Sequence, residues 1–244
     1  MTGDRQIGNN LTTGEHIVLR NVLPEINIEK LKAVTAKLKD LEHRPIYIAK
    51  ERLLGENTLK RYESAGVSII LERAAPWIKT IIGERWLILT NKVLLRRTWP
   101  MNEKKARELQ HNASNLTWHQ DSNIMHADKP MVVLMIPLQD GAGSICPGIS
   151  ILKSSTNRFE EIYGYEGHRV DEFEKKIYQR DKEFIVKNPI LNSGDLLMFN
   201  GLTFHRTSSN QAMKSHRDAL LIRIVRPIDA ENFPKGDHLI IKTH

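Results

Sequence analysis

His119 and Asp121, in the run Thr117-Trp118-His119-Gln120-Asp121-Ser122, stand two residues apart. In an extended segment such a pair points to one side, so an imidazole nitrogen and a carboxylate oxygen reach the same ion. A second imidazole follows at His205, after the turn Gly194-Asp195 and the apolar run Leu196 to Asn200. Two histidines and one carboxylate on one face of an ion form the facial triad that suits mononuclear iron(II) and leaves further positions open. Arg217 lies a short way on. Its guanidinium fork grips a carboxylate through two parallel hydrogen bonds, which lysine cannot do, and the far carboxylate of 2-oxoglutarate is its natural partner at such a site. The His-x-Asp tripeptide alone carries little information, because 10 histidines and 29 acidic residues produce one by chance. The ordered set of tripeptide, turn, apolar strand, histidine and arginine carries far more.

These residues need a scaffold that holds strands from distant parts of the chain side by side. From Ile26 to Leu41 apolar residues recur at three- and four-residue steps, which predicts an amphipathic helix. A second helix is predicted from about Leu71 to Ile82. Beyond it the period changes. Short β-rich runs follow at Trp86 to Thr90, Val93 to Thr98, Met131 to Leu138, Ile149 to Leu152, Glu183 to Ile190, Leu196 to Asn200 and Ala219 to Val225. Turn signals separate them at Asp140-Gly141, Pro147-Gly148, Ser193-Gly194 and Pro227. Helices first and many short strands afterwards predict a mainly β fold with helices, a double-stranded β-helix or jelly roll of the cupin-like kind braced by N-terminal helices. No linker or repeat divides the 244 residues, so one domain over 1–244 is expected, with a charged insertion at 157–182 in the position of a lid.

The strings TWHQDSN, CPGISILKSST and GDLLMFNGLTFHRTSSN, with HRDALLIRI after them, resemble the phytanoyl-CoA dioxygenase-like family of 2-oxoglutarate oxygenases. The likeness runs from about Arg96 to Pro227. It implies a dioxygenase using Fe(II), 2-oxoglutarate and O2, with His119, Asp121 and His205 as iron ligands. It also implies Arg217 as the 2-oxoglutarate anchor and Thr207 as a hydroxyl contact to the same carboxylate. Lys153-Ser154-Ser155-Thr156 stands where the family commonly ends this stretch in PGSH, so a role for that histidine does not carry over. Related halogenases replace the carboxylate ligand by a small residue, and Asp121 argues against halogenation. The expected reaction is hydroxylation of a small molecule, with desaturation or cyclisation starting from the same point.

Three further residues are candidate substrate contacts: Arg97 at a strand end before the tripeptide, and Trp118 and Gln120 beside the ligands. A solvated strand end and a core tryptophan are the plain structural alternatives. His111, His126, His168 and His216 have no partner pattern and are read as surface or supporting residues, and the lone Cys146 as a small buried hydrophobe. One cysteine allows no internal disulfide and no multi-cysteine zinc site, which suits a reducing compartment. No stretch approaches the roughly 18 apolar residues of a membrane span, so a soluble, cytoplasmic protein is expected.

The formal charge of +7 is spread without a basic block, which reads as a solvated basic surface and only slightly favours a substrate bearing carboxylate or phosphate. Arg217 and Arg223 would share one strand face, as a nucleic-acid dealkylase of the same superfamily requires. The long gap between Asp121 and His205 and an aromatic content of 6% speak against that alternative, so nucleic acid is not the expected partner. A metal-binding jelly roll without turnover is the remaining alternative.

Overall fold

The computed structural model describes residues 15–37, 66–89, 93–100, 118–124, 130–153, 185–232 and 238–239. In chain order its strands are β1 (His16–Leu19), β2 (Leu87–Leu89), β3 (Leu94–Thr98), β4 (Met131–Pro137), β5 (Gly148–Lys153), β6 (Ile185–Lys187), β7 (Leu196–Asn200), β8 (His205–Ser208), β9 (Arg217–Val225) and β10 (His238–Leu239). Two helices precede most of them, α1 (Glu25–Lys37) and α2 (Val67–Ile82). A helical turn, Asp121–Ile124, follows the His-x-Asp tripeptide, and a 3-10 helix covers Pro227–Asn232.

The strands form two antiparallel sheets. The larger runs β1-β7-β4-β9-β2-β10, with β3 also pairing with β9, and the smaller runs β6-β5-β8. Strand β4 shows why the sequence MVVLMIP is apolar throughout. Val132, Leu134 and Ile136 pack with α1 and α2 in one buried cluster, whereas Met131, Val133 and Met135 pack with Ile149 and Ile151 of β5 in another. A strand covered on both faces needs no polar alternation. Strand β9 divides the same way: Leu220, Ile222 and Ile224 turn to the helices, and Ala219, Leu221 and Val225 turn to the smaller sheet. Arg217 and Arg223, in phase with the second set, therefore face the space between the sheets.

Helix α2 buries Val67, Ile70, Leu71, Ala74, Ile78 and Ile82 at the three- and four-residue steps of a single helical stripe. It begins before the Leu71 expected from periodicity. Helix α1 covers Glu25 to Lys37 and buries Ile28 and Leu31, and the predicted extension to Leu41 lies outside the described residues. The expected Gly194-Asp195 turn is present. Gly194 adopts φ 77, and an added Cβ there would stand 2.6 Å from the Leu23 carbonyl oxygen, so the position calls for glycine. The Asp195 carboxylate accepts from the backbone N–H groups of Asn21 and Asn192 and from Arg20, tying β1 to the start of β7.

The mainly β jelly roll with bracing helices is thus present. Strands β1, β8 and β10 are additions to the expected set. Each is four residues or shorter, too short for alternation to register. The predicted lid at 157–182 lies outside the described residues.

Candidate metal centre

Cross-strand pairing brings the two histidines together. His119 forms an isolated antiparallel bridge to His205 at the edge of the smaller sheet, with both N–H···O bonds at 3.0 Å. Directly opposed residues in an antiparallel pair project to the same face, and the two rings stand 4.2 Å apart, centroid to centroid. Asp121 does not reach them by continuing an extended strand, as the two-residue spacing suggests. The chain turns into the helical turn Asp121–Ile124, whose Ser122 N–H donates to Gly201 O at 3.1 Å, and this turn carries the carboxylate inward.

Asp121 Oδ1 lies 3.7 Å from His119 Nε2 and 3.8 Å from His205 Nε2. The three ligand atoms of this cluster lie within 4.8 Å of one another. Metal–ligand bonds of about 2.1 Å put atoms sharing one ion roughly 3 to 4 Å apart, so the set suits a single ion. His205 Nδ1 stands 3.0 Å from the Thr203 carbonyl oxygen, which selects the tautomer with hydrogen on Nδ1 and leaves the Nε2 lone pair directed at the cluster. Burial lowers the His205 pKa by more than Asp121 raises it, so the imidazole is neutral and able to ligate. Burial opposes ionisation of Asp121, yet the charge of Arg223 and its hydrogen bond outweigh it and hold the carboxyl well below the usual carboxylate range.

Two rows of residues, one per sheet, frame the cluster. Across the smaller sheet the register sets Lys187, Ile151, His205 and His119 abreast. Across the larger it sets His16, Phe199, Val133 and Arg223 abreast. The rows meet where the Phe199 ring lies 4.7 Å from the His205 ring and where Arg223 Nε donates to Asp121 Oδ2 at 2.8 Å.

Arg217 is buried at the start of β9. Its NH1 donates to the carbonyls of Pro147 and Gly148 at 3.0 and 2.9 Å, and its NH2 donates to Thr98 Oγ1 at 3.2 Å, while Nε meets no acceptor among the described residues. Burial, and then repulsion from Arg96, pull its pKa down to about 10, which leaves it charged at neutral pH. A buried guanidinium that gives three of its five N–H groups to neutral oxygens keeps donors for a carboxylate. Thr207 follows His205 by two positions in β8 and so shares its face. It pairs with Ile149, next to the Gly148 whose carbonyl Arg217 holds.

The candidate substrate residues fall differently. Leu95 packs toward the helices, and Arg97, two positions on, shares its face. There Arg97 makes a bidentate ion pair with Asp218, both bonds at 2.8 Å, on the face turned toward the helices. The inward arginine is its neighbour Arg96, opposite Ala219 and near enough to His205 and Arg217 to lower the pKa of each. Trp118 packs with Leu152, Phe204 and Val186, and the Arg206 guanidinium carbon sits 4.7 Å above its ring, which is a core position. Gln120 is buried and donates to Leu202 O at 2.6 Å, bracing the loop that leads into His205. Cys146 is buried, as expected, and burial raises its pKa. Sequence reasoning missed Thr98, Thr203 and Phe199. Only the β3–β9 register marks Thr98, and nothing local marks a carbonyl such as that of Thr203.

Comparison with solved structures shows chains of the same fold. AviO1 from Streptomyces viridochromogenes Tue57 is similar at 16% identity and TM-score 0.58, over 88% of this chain and 90% of that one. The non-heme alpha ketoglutarate dependent carbocyclase SnoK from nogalamycin biosynthesis is similar at 14% identity and TM-score 0.58, over 93% and 90%. EctD from S. alaskensis, solved with 2-oxoglutarate and 5-hydroxyectoine, is similar at 11% identity and TM-score 0.57, over 88% and 73%. No protein-family model matches the chain, and no curated protein matches it in sequence. The resemblance read from the sequence therefore holds at the level of fold.

Proposed function

We propose that this chain is an iron(II)- and 2-oxoglutarate-dependent dioxygenase that oxidises a small molecule. The observation that carries the proposal is the His119–Asp121–His205 cluster, whose three ligand atoms converge in a space that Arg217 also faces. His119, Asp121 and His205 hold the metal, Arg217 binds the far carboxylate of 2-oxoglutarate, and Thr207 contributes a hydroxyl to it. Arg96 adds a second positive charge to the same interior, which suits the dianionic cosubstrate. Bound together, iron(II) and 2-oxoglutarate supply activation of O2 coupled to decarboxylation to succinate.

The protein's own residues set the conditions for that chemistry. The Thr203 carbonyl fixes the His205 tautomer, Arg223 keeps Asp121 ionised, and Phe199 screens one side of the cluster. SnoK and SnoN, named as a carbocyclase and an epimerase, support a range of outcomes on this scaffold, of which hydroxylation is the simplest. Among the described residues no helix is long and apolar enough to cross a membrane. The single cysteine agrees with action in the reducing cytoplasm.

The test is an anaerobic titration of apoprotein with iron(II) and 2-oxoglutarate, followed by the visible charge-transfer band of the chelate. The band should form in the parent, disappear in His119→Ala and need far more 2-oxoglutarate in Arg217→Ala. A parent that binds iron(II) but gives no band at saturating 2-oxoglutarate would leave a metal-binding jelly roll without turnover.

A further inference from the structure

The two oxygens of Asp121 have different partners. Oδ1 lies almost equally far from the two histidine nitrogens, at 3.7 and 3.8 Å, while Oδ2 accepts the 2.8 Å bond from Arg223. The carboxylate is 3% exposed, so water does not compete strongly for either oxygen. Arg223 comes from the larger sheet, opposite the strand edge that carries both histidines; Val133 of β4 pairs with it, and β2 pairs with the two residues that follow it in β9. The carboxylate plane is therefore set by the facing wall of the sandwich rather than by its own helical turn alone.

A carboxylate binds a cation through one oxygen or through both. Two-oxygen ligation requires the plane to rotate until Oδ1 and Oδ2 are equally near the ion, which would pull Oδ2 off Arg223. A buried charge-assisted hydrogen bond resists that rotation. We propose that Arg223 is a positioning residue that restricts Asp121 to one-oxygen ligation, so the triad keeps three open positions on the metal instead of two. This rests on the iron(II) site proposed above. It also gives the Arg217–Arg223 spacing a role within the protein: the first arginine meets the cosubstrate and the second meets a ligand of the metal.

The test uses Mn(II) alone as the probe, with water-proton relaxation reporting how many waters the bound ion holds. Parent, Arg223→Met and Arg223→Lys are compared at saturating Mn(II), with circular dichroism to confirm the fold. Freed from Arg223, Asp121 should close on the ion with both oxygens. Relaxation enhancement per bound Mn(II) in Arg223→Met should then fall by about a third, as three open positions become two. Arg223→Lys, which keeps a donor for Oδ2, should recover most of the parent value. If Arg223→Met does not fold, Arg223→Leu, which also lacks a donor, carries the same expectation of a fall. Unchanged relaxation in a folded Met or Leu variant overturns the proposal. A parent that binds no Mn(II) overturns the metal site itself, a result distinct from a metal-loaded variant with unchanged water count.

Discussion

Replacing Arg217 by Met should weaken 2-oxoglutarate binding far more than it weakens the fold. The parent side chain spends three hydrogen bonds on neutral oxygens, from Pro147, Gly148 and Thr98, and these orient the fork without neutralising it. Nε has no partner among the described residues, and the charge is disfavoured enough that the pKa falls to about 10. An arriving carboxylate would add charge-assisted hydrogen bonds worth roughly 1.5 to 3 kcal/mol each. Losing two of them costs about 3 to 6 kcal/mol, which weakens 2-oxoglutarate by roughly a hundred- to twenty-thousand-fold at about 1.4 kcal/mol per tenfold. Arg217→Lys keeps a point charge but not the fork, and should lose about ten- to a hundredfold. The assay is anaerobic calorimetric titration of iron(II)-loaded protein with 2-oxoglutarate, alongside thermal unfolding of each variant. A folded Arg217→Met protein whose affinity stays within about threefold of the parent, well below one charge-assisted bond, would refute the assignment.

Other consequences can be checked with the same material. An added Cβ at Gly148 would stand 2.5 Å from Gly143 Cα, so Gly148→Ala must shift the carbonyl that Arg217 holds. Urea unfolding should show a loss of about 1 to 3 kcal/mol, and calorimetry a weaker 2-oxoglutarate affinity. Burial disfavours ionised Asp218, but its bonds to Arg97 and His216 prevail and lower its pKa from 3.8 to about 2. Because the folded pKa is depressed, the stabilisation is present above pH 3.8 and is lost as pH falls through about 2. Its size is about 2 kcal/mol at 1.36 kcal/mol per unit. Asp218→Asn should therefore be less stable than the parent by about that amount at pH 7, with the gap narrowing toward pH 2; a gap independent of pH would contradict the ion pair. Arg97→Met should cost about 3 to 5 kcal/mol of stability, as breaking a buried pair does, and leave 2-oxoglutarate affinity in the folded protein nearly unchanged. Arg96→Met should weaken that affinity, and the opposite ranking of these two neighbours in calorimetry would reverse the assignment of their faces.

The contrast between Arg96 and Arg97 marks where local sequence stops being informative. Two adjacent arginines on a strand must face opposite ways, but their own pattern does not say which faces inward. That is settled by the pairing of Arg97 with Asp218 across from it and of Arg96 with Ala219. The identities of the triad residues, the two-sided burial of β4 and the amphipathic stripe of α2 were legible because each is written in residue type and short-range period. The convergence of the triad was not. His119 meets His205 through a cross-strand bridge between distant segments, and Asp121 turns inward on a single helical turn instead of an extended strand. The protection of Oδ2 by Arg223 depends on two sheets meeting face to face. Side-chain chemistry and periodicity are local properties that a sequence carries directly. The register between strands and the apposition of sheets are set by the whole core at once, and only the tertiary structure decided them.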